Sequence, residues 1–288
     1  MCAQSTGTSA VCVVCPHHCS IPEGGRGICG ARSTVEGEVV PLNYGRITAL
    51  ALDPIEKKPL ARFHPGTKIL SVGSYGCNML CPFCQNHDIS RVDSSYIMER
   101  FWDQGRVFSP KDLVDAAQKE RPQGNIGIAY TYNEPLVGYE FVRDTAKLAS
   151  ELGLVNVVVT NGCFTDVVLN EIEQYIDAYN IDLKCFTNEG YHSLGGSLKY
   201  VCLFIERAAK RAHVELTTLV VPGLSDDEFT MERQARWIAS VDPDITLHLT
   251  RFFPAFHMSR AYPTDLQTMY RLQNIAERYL NHVVLGNV

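Results

Sequence analysis

From about residue 67 onward, short apolar runs alternate with longer segments whose apolar positions recur at helical spacing. The runs fall at Lys68–Val72, Asn125–Tyr132, Asn156–Thr160, Ala178–Leu183, His213–Val221 and Asp244–Phe252. They are rich in Val, Ile and Leu and nearly unbroken by polar residues, as expected for strands covered on both faces. One helix is expected from Ser109-Pro110, with Ser as N-cap and Pro at the first helical position. Another is expected over Pro135–Leu152, ended by Gly153. Further helices are expected after Thr165 and over Leu198–Ala212, Asp226–Ser240 and Pro263–Leu280. Strands alternating with helices predict an α/β chain with a parallel sheet. Six units suggest a partial (βα)6 barrel, and His282–Val288 is placed to add a seventh strand.

Residues 1–65 follow a different pattern, with no helical period. They hold a run of cysteines, a Gly-rich stretch at Gly24, Gly25, Gly27 and Gly30, and strand-like pieces at Glu38–Val40 and Arg46–Leu50. The division expected is a Cys-rich metal-binding lobe with short strands over residues 1–65 and a barrel domain over residues 66–288. No repeat of 20–50 residues is visible.

Composition narrows the function. Net charge is −6 over 288 residues, which gives no electrostatic reason to expect nucleic acid or an anionic membrane as partner. No apolar run approaches the roughly 20 residues that span a bilayer. The first ten residues lack the charged and apolar regions of a signal peptide. A cytoplasmic protein is expected. Against that setting, 11 cysteines are too many to be incidental, and a reducing compartment argues against disulfides. Seven of them fall in two tight groups, the pattern of metal or iron–sulfur ligation.

The second group is Cys77, Cys81 and Cys84, spaced C-x3-C-x2-C after the first barrel strand. One loop supplies thiolates close enough for a cubane iron–sulfur cluster, and three of them leave one iron open. Zinc completed by His87 is the alternative. Other polar residues also fall where barrel strands end: Asn133 and Glu134, Thr160 and Asn161, Asp182 and Lys184, Pro222-Gly223, and Arg251. In barrels those ends carry the chemistry. Structural readings stand beside the functional ones. Asn133 is placed to cap a helix, with Glu134 complementing its dipole, and Asp182 is placed to pair with Lys184.

The first group, Cys12, Cys15, Cys19 and Cys29, is spaced C-x2-C-x3-C-x9-C. It suits a closed tetrahedral zinc site or a second iron–sulfur cluster, with His17 or His18 able to replace a thiolate. Spacing does not separate the two.

Cys77–Cys84, with Phe83 just before the last cysteine, resembles the cluster loop of the radical S-adenosylmethionine (SAM) superfamily. The resemblance implies a 4Fe-4S cluster on Cys77, Cys81 and Cys84 whose open iron is chelated by SAM. It also implies reductive cleavage of SAM to a 5′-deoxyadenosyl radical that abstracts hydrogen. Tyr132-Asn133-Glu134-Pro135 is similar to the family's Gly-Gly-Glu-Pro-like turn, which makes Asn133 and Glu134 candidates for the SAM ammonium. Phe83, Thr160, Asn161, Asp182 and Lys184 resemble SAM-contacting positions of pyruvate formate-lyase activating enzymes. By that likeness Lys184 pairs with the SAM carboxylate, and Asp182 binds ribose or a monovalent cation.

A narrower resemblance covers about Cys12 to Asn287. Its marks are the first cysteine group with Gly27-Ile28-Cys29-Gly30, then Asp53-Pro54-Ile55-Glu56-Lys57-Lys58-Pro59-Leu60, Gln85-Asn86, and Thr250-Arg251-Phe252-Phe253-Pro254. Together they resemble the radical SAM enzyme of the AmmeMemoRadiSam system. Members of that branch commonly continue into a Cys-containing tail, which is not in this sequence. The strand-end histidine that helps hold SAM in formate-lyase activases has no clear counterpart around Arg251, between His248 and His257. The expected partners are a flavodoxin- or ferredoxin-type electron donor and either other AmmeMemoRadiSam proteins or a glycyl radical enzyme. A non-catalytic metal or electron-transfer module is the reading from another class.

Overall fold

A computed structural model describes residues 9–91 and 107–288. Its framework is an eight-stranded sheet, and seven of the strands are parallel and sequential in space. These are β6 (Lys68–Gly73), β7 (Asn125–Tyr130), β8 (Val155–Thr160), β9 (Ala178–Asp182), β10 (His213–Val220), β11 (Thr246–Arg251) and β12 (Val283–Gly286). All six apolar runs form the strands expected of them, and the C-terminal stretch supplies the seventh. The eighth is β5 (Ala49–Pro54), antiparallel to β6 at the edge opposite β12. The strand expected over Arg46–Leu50 therefore lies further along the chain. Pairing of Leu52 with Leu70 and of Asp53 with Ile69 extends it through Pro54.

Helices cover the outer face: α2 (Pro110–Lys119), α3 (Tyr139–Glu151), α4 (Asp166–Ile172), α6 (Leu198–Ala208), α7 (Glu228–Val241) and α8 (Leu266–Ala276), with short α1 (His87–Ser90) and α5 (Asn188–Ser193) among them. Ser109 caps α2 through a reciprocal box with Asp112. The helix expected from Pro135 first makes a 3-10 turn, Pro135–Gly138, because Glu134 caps that turn at Leu136 N. The short α5 carries no apolar period, and its helicity rests on Thr187 accepting from Gly190 N. Among the described residues, no helix is long and apolar enough to cross a membrane.

Alternation along the strands sends one set of side chains outward to the helices and the other into the lumen. Ile69, Ala129, Val157 and Ala178 form a small inner core with Ile55 and Leu60. Residues 55–62 thus plug the strand N-terminal end of the lumen. Asn180 Nδ2 donates to Pro59 O (2.9 Å), and the buried Glu215 carboxylate accepts from the N–H groups of Ala61 (2.9 Å) and Arg62 (2.8 Å). His213 and His248 hold Glu215 in turn, at 2.8 and 2.6 Å.

The N-terminal cysteines sit on two hairpins, β1 (Ser9–Val11) with β2 (Ser20–Pro22) and β3 (Arg32–Val35) with β4 (Glu38–Pro41). Buried Arg32 locks them to the barrel. Its guanidinium forks onto Glu140 (2.6 and 3.1 Å) and reaches Val137 O at 3.0 Å. Thr165 adds a second tie, donating from its hydroxyl to Val13 O at 2.6 Å and from its N–H to Val14 O at 3.1 Å.

Candidate active site

At the C-terminal ends of the strands lies a cavity of about 370 Å³. Its wall includes Cys77, Cys81 and Cys84 together with Phe83, Asn133, Glu134, Thr160, Asn161, Asp182 and Lys184. The fold therefore brings together in one space every candidate for the cluster and for SAM. Cys12, Cys15, Cys19 and Cys29 lie outside it, packed behind the cysteine loop.

The loop after β6 is fastened by the next two strand ends. Asn133 holds its start: its amide oxygen accepts from Ser74 N (2.9 Å) and its Nδ2 donates to Gly76 O (3.1 Å). Asn161 holds its centre, donating to Asn78 Oδ1 (2.8 Å) and to Cys77 Sγ (3.7 Å), while Met79 N also donates to Cys77 Sγ (3.4 Å). Asn78 in turn donates to Cys163 O at 2.8 Å. The loop rests directly on the N-terminal lobe. Cys77 N donates to Cys29 O (3.3 Å), and His17 Nε2 meets Asn78 O at 2.8 Å. Gly76 makes that approach possible, since a Cβ there would lie 2.7 Å from both Cys29 O and Ala31 Cβ.

Glu134 is a buried carboxylate joining the ends of β7 and β8. It accepts from Asn161 N (2.7 Å), Thr160 Oγ1 (2.8 Å) and Leu136 N (3.1 Å). Burial pushes its carboxyl up to about 7 even though these donors oppose the shift. Asp182 and Lys184 form an ion pair at 2.9 Å, so the structural pairing foreseen for them is present. Burial alone would lower the Lys184 ammonium, but Asp182 and the Cys81 sulfur outweigh it and raise it.

The donor set fits an iron–sulfur core. All three thiols are free, and Cys77 Sγ already receives two N–H donors of the kind that stabilise a bound thiolate. Among the described residues no three Cys, His, Asp or Glu side chains converge as one metal ion demands. A cubane sets each thiolate on a separate iron and needs no such convergence. Nor does His87 turn inward as a zinc ligand. Its Nδ1 meets Cys84 O (3.2 Å), its Nε2 meets Asp88 (3.1 Å), and its ring stacks on Phe256. Around Arg251, His248 is committed to Glu215, and it is Thr250 that reaches the cavity.

The opposite wall was not foreseen from the sequence. A Glu-Lys-Lys run reads by default as solvated charge, yet Lys58 is only 3% exposed and both lysines line the cavity. Tyr132 joins them, with a strained backbone at φ 73. The motif Asp53–Leu60 was visible as a unit, but nothing in its spacing shows that it enters the lumen.

Comparison with known proteins decides the family. The profile of the Radical SAM superfamily matches residues 71–233. This chain is a member of the radical SAM superfamily. Radical SAM proteins use a 4Fe-4S cluster and SAM, and this one is a SAM-dependent enzyme. It is 35% identical to an uncharacterized protein of Methanocaldococcus jannaschii over 96% of this chain and 81% of that one. It is 24% identical to pyruvate formate-lyase 1-activating enzyme of Escherichia coli K12, over 76% of this chain and 92% of the relative. QueE from Escherichia coli shares the fold, with a TM-score of 0.52 at 12% identity, over 84% of this chain and 93% of that structure.

Proposed function

We propose that Cys77, Cys81 and Cys84 carry the 4Fe-4S cluster and that SAM lies in the adjoining cavity. The supporting observation is that cavity, which joins the cysteine loop to Phe83, Asn133, Glu134, Thr160, Asn161, Asp182 and Lys184. Bound there, the cluster and SAM supply reductive cleavage and a radical able to take hydrogen from substrate. The chain's own residues position that chemistry. Asn161 and Met79 fix the Cys77 sulfur. Glu134 sets the height of the β7 and β8 ends and offers its carboxylate to the SAM ammonium. The Lys184–Asp182 pair opens to give an ammonium for the SAM carboxylate and a carboxylate for ribose or a monovalent cation.

The first cysteine group is a second metal centre on this reading. Cys12, Cys15 and Cys29 are buried, and burial raises Cys15 to about 12, with the neighbouring sulfurs adding to the shift. Four thiols gathered in this way suit either a closed tetrahedral zinc site or a second iron–sulfur cluster.

The substrate branch we favour is the AmmeMemoRadiSam type, because its marker segments build the lobe against the cysteine loop and the plug beneath the cavity. In that setting the enzyme works in the cytoplasm with a flavodoxin- or ferredoxin-type donor and with other proteins of that system. The alternative is activation of a glycyl radical enzyme, supported by the likeness to pyruvate formate-lyase 1-activating enzyme. The two separate by electron paramagnetic resonance. Reduced enzyme, SAM and pyruvate formate-lyase give a glycyl radical doublet if the alternative is right. No doublet, with 5′-deoxyadenosine still formed, supports the favoured branch.

A further inference from the structure

The plug that fills the lumen presents two ammonium groups to the cavity from the face opposite the cysteine loop. Asp53 gathers them. Its Oδ2 accepts from Lys58 Nζ (2.9 Å) and Tyr132 Oη (2.7 Å), and its Oδ1 accepts from Lys57 Nζ (3.3 Å). Lys58 also sits over the Tyr132 ring, 4.7 Å from its centre. The arrangement is built rather than incidental. Tyr132 holds a left-handed backbone, and Gly73 clears the space for its ring, since a Cβ at that glycine would lie 2.9 Å from Tyr132 Cδ2.

One carboxylate does not balance two ammonium groups. Each has three N–H donors and directs one to Asp53, so donors remain on both, and the excess positive charge lies on Lys57 at the cavity rim. Elsewhere on the wall Lys184 is matched by Asp182, and Arg91 is a further cation lining the same cavity. Lys58 is buried against Asp53, whereas Lys57 is two-thirds exposed, and an excess positive charge at the mouth of a pocket draws an anion.

We infer that the substrate carries an anionic oxygen group, carboxylate or phosphate, which docks on Lys57 and Lys58 with its reactive carbon turned toward the cysteine loop. This inference rests on the radical SAM site proposed above and names the substrate class that site accepts. Asp53 and Tyr132 are positioning residues: they hold the ammonium of Lys58 upright in a place where an unpaired lysine would turn away.

The test is isothermal titration of anaerobically reconstituted protein with inorganic phosphate and, separately, with acetate. Wild type is compared with Lys57→Gln and Lys58→Met, and thermal unfolding is followed for each. Saturable binding of one anion, weakened about tenfold or more by Lys57→Gln and by Lys58→Met where that variant folds, supports the inference, and the anion that binds names the class. Lys57 is on the cavity rim, so Lys57→Gln still decides the matter if Lys58→Met fails to fold. Binding of neither anion to wild type overturns the inference, and so does binding unchanged in Lys57→Gln, an adventitious ion only. 5′-Deoxyadenosine formation on the same wild-type sample is a separate readout. Its absence beside lysine-dependent anion binding counts against the cluster assignment and leaves the anion site standing.

Discussion

The backbone N–H of Cys77 donates to the carbonyl oxygen of Cys29 at 3.3 Å, so the two cysteine groups meet although they are far apart in sequence. The contact runs through backbone, not sulfur. Cys12→Ala and Cys29→Ala are therefore expected to keep the SAM-responsive cluster, whereas Cys77→Ala, Cys81→Ala and Cys84→Ala lose it. Mössbauer spectra of each variant with and without SAM check this.

Gly76 sits at the same junction with φ 93, and a Cβ there meets Cys29 O and Ala31 Cβ at 2.7 Å. Gly76→Ala is expected to cost about 1–3 kcal/mol from backbone strain alone, with the clash in addition. Iron uptake should fall although every thiol is kept. Iron per chain after reconstitution, read beside the unfolding midpoint, measures both effects.

Glu134→Ala is expected to weaken SAM binding clearly more than Glu56→Ala. Glu134 lies in the cavity wall and joins two strand ends, while Glu56 accepts from Gly66 N at the exposed edge of the plug. Equal SAM dissociation constants for the two variants would remove Glu134 from the binding account.

Glu215 makes stability depend on acid. Burial alone would raise its carboxyl, but His213, His248 and two backbone N–H groups hold it down, at about 2 against an ordinary 4.5. Between those values the unfolded chain binds the proton and the folded chain does not, so stability rises with pH. The contribution, about 3 kcal/mol, is present above 4.5 and lost as pH falls toward 2. Urea unfolding should show the gap between wild type and Glu215→Gln shrinking from about pH 5 to about pH 3. A gap constant with pH would mean that the carboxylate is not what anchors the plug.

The strands and most helices were legible because their periods are local and regular. The triplet was legible because three thiols in one loop have few other uses. Asn133 was harder to read, since its residue type suits capping, ligand binding or loop support, and only the fold shows its amide engaged by Ser74 and Gly76. The place of Lys57 and Lys58 was hidden for a physical reason. A Glu-Lys-Lys run looks solvated until a long-range contact, Asn180 to Pro59, draws the segment into the lumen. Pairing of His17 with Asn78 O joins two segments with no common pattern, so no one-dimensional signal foretold it.

The most direct test of the central claim is chromatographic detection of 5′-deoxyadenosine after anaerobic incubation of reconstituted protein with SAM and dithionite, with candidate partner proteins present. Wild type is expected to form it, and Cys77→Ala, Cys81→Ala and Cys84→Ala are expected to form none. Product from the cysteine variants at the wild-type level would contradict the assignment of the cluster to this loop, as would a wild-type protein whose triplet binds only zinc and which makes no product.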